Sequence, residues 1–192
     1  PHKDTHAAHE RRWPVTRAPG PTRVGLIVGA PGAGKTTATL QAARSLDRRG
    51  PRPAAHIELD LIRSMAMPLG GPPNRPDRLD LWLPMAADLV RRAVPACSWV
   101  LVDGIMIEAG VVSTLTRAAE EAGGTVRTVR LEAPLKTCLA RNDTRAGAKK
   151  LPRWEATDLW QESLTVPCDA TVDAARPLEA VAADIAAQLD HR

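Results

Sequence analysis

The stretch G-A-P-G-A-G-K-T-T, Gly29 to Thr37, follows the apolar run V-G-L-I-V and precedes residues with helical character. No other feature constrains the chain as much. It satisfies G-x-x-x-x-G-K-[ST] at Gly29, Gly34, Lys35 and Thr36. A loop that wraps a phosphate must turn tightly with its N–H groups inward, and glycine tolerates the dihedrals this requires. A helix starting near Lys35 turns the positive end of its dipole to the same anion. Lys35 can reach the β- and γ-phosphates, and the Thr36 hydroxyl can ligate Mg²⁺. Gly29, Ala30, Pro31, Gly32, Ala33, Gly34, Lys35, Thr36 and Thr37 therefore form the expected cradle for ATP or GTP.

The rest of the chain reads as strands alternating with helices. Buried strands are expected at Arg23–Val28 and Trp99–Val102, and further strands at Ala54–Leu59, Thr125–Leu131 and Ala170–Val172. Helices are expected at Lys35–Arg49, Asp77–Val94, Ala109–Ala122, from Pro134 to about Thr144, Trp154–Ser163 and Pro177–Leu189. Pro84 should kink or split the second of these. Such alternation implies right-handed crossovers and a parallel sheet covered on both faces. Ligands of such sheets bind at the carboxyl ends of the strands. The division is a flexible arm over 1–22 and one domain over 23–192.

Two acids sit at those strand ends. W-V-L-V-D brings Asp103 to the tip of an apolar strand beside the phosphate loop, where it could hold Mg²⁺ through water. It could equally cap the following turn. H-I-E-L-D brings Asp60 to the same edge, where a carboxylate can orient a hydroxyl and take its proton. A helix N-cap is the other role open to it. Arg63, three residues on, suits an anionic group of a substrate.

GAPGAGKTT, the strand ending in D-x-x-R, V-L-V-D-G, and V-R-L-E-A-P before R-x-x-x-R resemble one branch of the P-loop kinases. That branch includes chloramphenicol phosphotransferase, zeta toxin and phage polynucleotide kinase. The similarity runs from about Arg23 to Leu189. It implies an α/β P-loop NTPase fold: a five-stranded parallel sheet, helices on both faces, and a basic lid. It also implies phosphoryl transfer from ATP or GTP to a hydroxyl, with Asp60 at the base position and Arg63 on the substrate side. The lid would be the basic segment after the fourth strand. Arg141 and Arg145, four apart, would share a helix face and neutralise charge on the transferring group. Lys149, Lys150 and Arg153 follow them. A solvated basic helix end is the alternative. The resemblance places Arg176 against the adenine.

Composition narrows the acceptor and the setting. Net charge is +4, which suits an anionic substrate and permits nucleic acid, and which a solvated surface with slightly more Arg than Glu equally produces. Cys97, Cys138 and Cys168 lie far apart without C-x-x-C, so neither a disulfide framework nor a zinc site is expected. No run of 18 apolar residues occurs, and the expected setting is a reducing cytoplasm without membrane contact. His2, His6 and His9 read as part of a mobile polar arm. The acceptor should lie between Asp60 and residues 65–88, where Met65, Met67, Trp82 and Met106 either line an adaptable pocket or are core. A nucleic-acid channel is not favoured, because the basic and aromatic residues of 64–90 are few. The expected function is a small-molecule kinase, with an antibiotic or other secondary metabolite as acceptor. The alternatives are a polynucleotide 5′-hydroxyl or nucleotide-sugar kinase, and a nucleotide-binding ATPase switch. No glutamine-bearing switch loop follows Asp103, which weakens the last.

Overall fold

The computed structural model describes residues 20–66, 78–146 and 150–190. Met67, the Gly/Pro-rich loop to Pro76, Lys149 and the histidines of the arm lie outside the described residues.

Five strands form one parallel sheet in the order β2-β3-β1-β4-β5. They are β1 Thr22–Gly29, β2 Ala54–Glu58, β3 Trp99–Asp103, β4 Gly124–Glu132 and β5 Ala170–Asp173. The helices are α1 Lys35–Asp47, α2 Leu59–Ala66, α3 Leu79–Ala93, α4 Val111–Glu121, α5 Leu135–Asp143, α6 Arg153–Ser163 and α7 Leu178–Asp190. β1 and β3 are apolar almost throughout, as strands covered on both faces must be. One face is closed by α1 and α7, whose small Ala38, Ala42, Ala182 and Ala186 let the helices approach closely around Leu46, Ile185 and Leu189. The other face is closed by α2, α3 and α4, with Ile62, Leu83, Val90 and Leu115 over Val24, Leu26 and Val28. Thr22 ties the start of β1 to this layer, its hydroxyl lying 2.6 Å from the Val94 carbonyl.

Helix α3 is continuous across Pro84, so of the expected kink or split the split does not occur. The proline sits near the helix start, where its missing N–H removes one intrahelical hydrogen bond, and the buried face Trp82, Leu83, Ala86 and Val90 holds the remainder together.

The register explains why polar residues collect at one edge. Asp103 is level with Ile27 of β1 and with Glu58 of β2. Chain leaving β1, β2 and β3 therefore emerges side by side. The loop after Gly29, the first turn of α2 and the end of β3 share the carboxyl edge of the sheet, where the strand order switches direction around β1.

Candidate functional site

The phosphate-binding loop joins β1 to α1 through backbone that only glycine adopts easily. Gly32 has φ +82, and a Cβ there would stand 2.3 Å from the Cys138 carbonyl oxygen on α5. Gly29 has φ +147, and a Cβ there would stand 2.5 Å from the Leu131 carbonyl oxygen on β4. The loop is thus wedged between β4 and α5, and a side chain at either position would push it out. Helix α1 begins at Lys35 with Gly34 as its N-cap, and no side chain caps its first N–H groups. Those donors face the loop as an anion site.

Lys35 is only 8% exposed, and its ammonium donates to the carbonyls of Gly29 at 2.8 Å and Ala30 at 3.0 Å. Burial lowers its pKa below the ordinary lysine value; the negative charges of Asp60 and Asp103 oppose that shift, while Arg145 adds to it. The β2–β3 register sets the first turn of α2, with Asp60, at the same sheet edge as Asp103.

Thr36 and Asp103 meet directly. The Thr36 hydroxyl donates to Asp103 Oδ2 at 2.7 Å, and Asp103 is buried at the tip of β3. The other carboxylate oxygen, Oδ1, lies 2.6 Å from Nε2 of His56 on β2. Sequence reasoning misses His56. Its signal is alternation: in H-I-E-L-D the histidine sits beside the β3 tip, where an imidazole must find a partner. A hydroxyl and a carboxylate side by side are hard oxygen donors that suit Mg²⁺, with water completing the shell.

Asp60 occupies the first turn of α2, and its side chain is 50% exposed. Arg63 is buried and is engaged from three sides. Its Nη2 donates to both oxygens of Glu108, at 2.9 and 3.0 Å. Its guanidinium stacks on Trp82, 4.3 Å from the ring centroid. Its Nη1 lies 4.0 Å from Asp60 Oδ1. Nε is buried without a partner. The stacking and the contact with both Glu108 oxygens set the arginine's position before any substrate is considered. Trp82 and Met106 belong to the buried core, and Met65 is 69% exposed. Met106 also has φ +54, rare for a residue with a side chain, directly after the Asp103–Gly104 tip and Ile105.

Arg141 reaches over the phosphate loop. Its Nη1 donates to the Ala174 carbonyl at 3.0 Å and lies 3.4 Å from that of Gly32. Arg145 does not share a helix face with it: α5 ends at Asp143, and the Arg145 N–H closes a turn onto the Asn142 carbonyl. The spacing rule fails because the helix stops before Arg145. Its positive charge pushes the pKa values of Lys35 and Cys138 downward. Asn142, which no sequence motif marks, is fully buried. It pairs with both backbone groups of Leu151, at 2.8 and 3.1 Å, and so ties the two ends of the basic segment together. Arg153 pairs with Asp143 across the same base, Lys150 is exposed, and Arg176 pairs with Asp184 on α7. Among the described residues no helix is long and apolar enough to cross a membrane.

Solved structures share this architecture. The Mycobacterium tuberculosis APS kinase, in complex with AMPPNP and APS, superposes with a TM-score of 0.66 at 15% identity, covering 90% of this chain and 100% of that one. The Deinococcus radiodurans tunicamycin resistance protein gives 0.64 at 21%, covering 89% and 97%. A gluconokinase from Sinorhizobium meliloti 1021 gives 0.63 at 19%, covering 90% and 93%. At these identities the likeness is one of fold, that of the P-loop NTPases. No curated protein matches the sequence significantly. A family model described as an AAA domain matches residues 24–167, from β1 past α6, and the chain belongs to that family.

Proposed function

We propose that the chain is a kinase that moves the γ-phosphoryl group of ATP or GTP to a hydroxyl of a small molecule, in the cytoplasm. The observation that carries this reading is the gathering of Lys35, the Thr36–Asp103 pair and Asp60 at one edge of the sheet. A nucleotide held by the loop from Gly29 to Thr37 would have its terminal phosphate beside Lys35. Thr36 and Asp103 would hold Mg²⁺, which supplies charge neutralisation on the phosphates. Asp60 is half-exposed, so an acceptor can reach it; its carboxylate would orient the hydroxyl and take its proton as the oxygen attacks phosphorus. Arg141, which donates to the Ala174 carbonyl beside the phosphate loop, would meet charge developing on the transferring group, with Arg145 closing over it, and Arg176, paired with Asp184, would lie against the adenine. Closure of the basic segment would exclude water and keep the nucleotide from hydrolysis. Arg63, already fixed by Glu108 and Trp82, would form the wall facing the acceptor, with Trp82 and Met106 supporting it from the core.

Fold relatives that include a gluconokinase and an antibiotic resistance protein favour a small acceptor, including an antibiotic or other secondary metabolite. The test follows the γ-phosphoryl group from labelled ATP with Mg²⁺ and a panel of hydroxylated metabolites, antibiotics, nucleosides and 5′-hydroxyl oligonucleotides. Label on a small molecule supports the reading. Label on oligonucleotide ends replaces the acceptor class, and phosphate release without transfer replaces the kinase with an ATPase. Asp60→Asn should keep nucleotide affinity and lose transfer by at least ~10²-fold.

A further inference from the structure

A second concavity lies at the other end of the sheet, away from the phosphate loop. It encloses about 890 Å³ between the starts of β1, β3 and β4 and the end of α7, and its walls include Arg23, Arg52, Trp99, Arg127, Asp169 and Leu189. Arg23 and Trp99 are partners in the sheet register, which places the cavity at the amino edge.

Three features single it out. Among the described residues, five buried side-chain nitrogen or oxygen atoms have no hydrogen-bond partner, and three of them belong to residues of this one cavity: Arg52 Nε, Trp99 Nε1 and Arg127 Nε. A buried donor without an acceptor loses the hydrogen bond it makes with water in the unfolded chain and gains none in return. Three such donors in the residues around a single cavity set it apart, and the arginines there carry further N–H donors at their Nη atoms.

The charges agree. The walls carry Arg23, Arg52 and Arg127 against Asp169, and Asp169 Oδ2 already accepts the Thr128 N–H at 2.7 Å. Arg23 is neutralised by Asp190, at 3.0 Å, but shares that carboxylate with Arg49. Arg52 is held by the Pro95 carbonyl at 2.7 Å and the Thr22 hydroxyl at 3.2 Å, both uncharged. The Arg127 side chain makes no hydrogen bond or ion pair among the described residues.

The shape agrees as well. Trp99, 7% exposed, and Leu189 supply an apolar wall beside the guanidinium groups. Arginine forks match the oxygens of a phosphate, and an apolar wall takes a carbon skeleton. The sequence before Gly20 does not complement this surface, since Lys3, Arg11, Arg12 and Arg17 outnumber Asp4 and Glu10.

We propose that this cavity is a second binding site, for a small organic phosphate, independent of the nucleotide loop. Phenyl phosphate is a suitable probe, because it joins a phosphate to a flat apolar group. In ¹H–¹⁵N spectra of the full chain, the Trp99 indole N–H, assigned with Trp99→Phe, and the Arg127 Nε–H should shift saturably. The shifts should be the same in Lys35→Ala, whose nucleotide loop is impaired. Phenol, which lacks the phosphate, should leave both signals in place. Arg127→Gln should weaken binding at least about 10-fold. Because Arg127 has no partner to lose among the described residues, the melting temperature should stay within about 2 °C. Arg127→Lys, which keeps the charge without the fork, should also weaken binding. Unmoved signals, shifts abolished by Lys35→Ala, or full affinity in both Arg127 variants would overturn the proposal. None of these results depends on the kinase reading.

Discussion

His56 Nε2 lies 2.6 Å from Asp103 Oδ1, across the β2–β3 pair. The carboxylate at the tip of β3 is therefore held from both sides, by an imidazole on one oxygen and by the Thr36 hydroxyl on the other. Its orientation is set by its neighbours and not by its own rotamer freedom. Groups that orient a metal-binding carboxylate typically change metal affinity by about 10- to 100-fold when removed.

His56→Phe keeps a flat ring in the strand but removes the nitrogen. The expected outcome is a rise of about 10-fold in the Mg²⁺ concentration for half-maximal transfer, with nucleotide binding in the absence of metal little changed. A Mg²⁺ titration of activity at saturating ATP measures it. An unchanged midpoint with a lower plateau would show that His56 acts only through packing.

Gly32→Ala should damage the loop more than its single methyl suggests. The new Cβ would stand 2.3 Å from the Cys138 carbonyl oxygen, and the backbone there has φ +82. Strain of this kind costs about 1–3 kcal/mol. Either the loop or α5 must move, and both carry nucleotide-side groups. Calorimetry should show a lower melting temperature, and equilibrium dialysis should show weakened ATP binding. A variant with normal affinity would mean that the loop yields without losing its shape.

Much of this arrangement is legible in the residues, and the exceptions share a cause. The strand order along the chain, the loop and Asp103 at a strand tip follow from local signals, apolar runs, glycine spacing and a polar residue at the run's end, whereas Asp60 falls one step later, in the first turn of α2. Helix α3 survives Pro84 because its buried face outweighs one missing hydrogen bond, a balance that local pattern does not weigh. Arg145 leaves the helix face expected of it because α5 ends at Asp143. His56 and Asn142 escape a reading by motif because their partners, Asp103 and Leu151, are chosen by register and by loop closure. Spacing suggests a substrate group at Arg63, whereas Glu108 and Trp82 already engage it, through contacts between segments far apart in the chain.

Lys35 gives a prediction in pH. Burial is the main cause of its lowered pKa, so the folded protein releases the proton at a pH where the unfolded chain still holds it. In that window the unfolded state binds more protons, and stability contributed by this group rises with pH. Below the lowered folded-state value the charged amine carries its full burial penalty; the rise ends at the ordinary lysine value of 10.5. Lys35→Met removes the titrating group, and its unfolding free energy should lack this component of the slope. Urea denaturation of both proteins across the alkaline range, without nucleotide, measures the difference. Parallel curves would mean that the lysine titrates alike in both states. The same variant should also lose the stabilisation that Mg·ATP gives the parent.

Glu108 decides which carboxylate Arg63 serves. The guanidinium is 2.9 Å from Glu108 and 4.0 Å from Asp60, so the buried charge is satisfied mainly by Glu108 and leaves Asp60 available to an acceptor. In Glu108→Ala the arginine keeps its Trp82 face but loses its close partner, and Asp60 becomes the nearest anion. Pairing would hold Asp60 away from the hydroxyl and reduce its basicity, since a neighbouring positive charge favours the carboxylate form. Transfer should fall by about 10²-fold, the scale of a lost general base. The effect acts through Asp60, so it should not add to Asp60→Asn. The double variant should match the Asp60→Asn rate, giving a coupling equal to the whole Glu108→Ala loss, about 2.7 kcal/mol for 10²-fold, in a double-mutant cycle. Rates measured for the parent, both single variants and the double variant decide it. Additive losses would show that Glu108 supports the acceptor site by a route that bypasses Asp60.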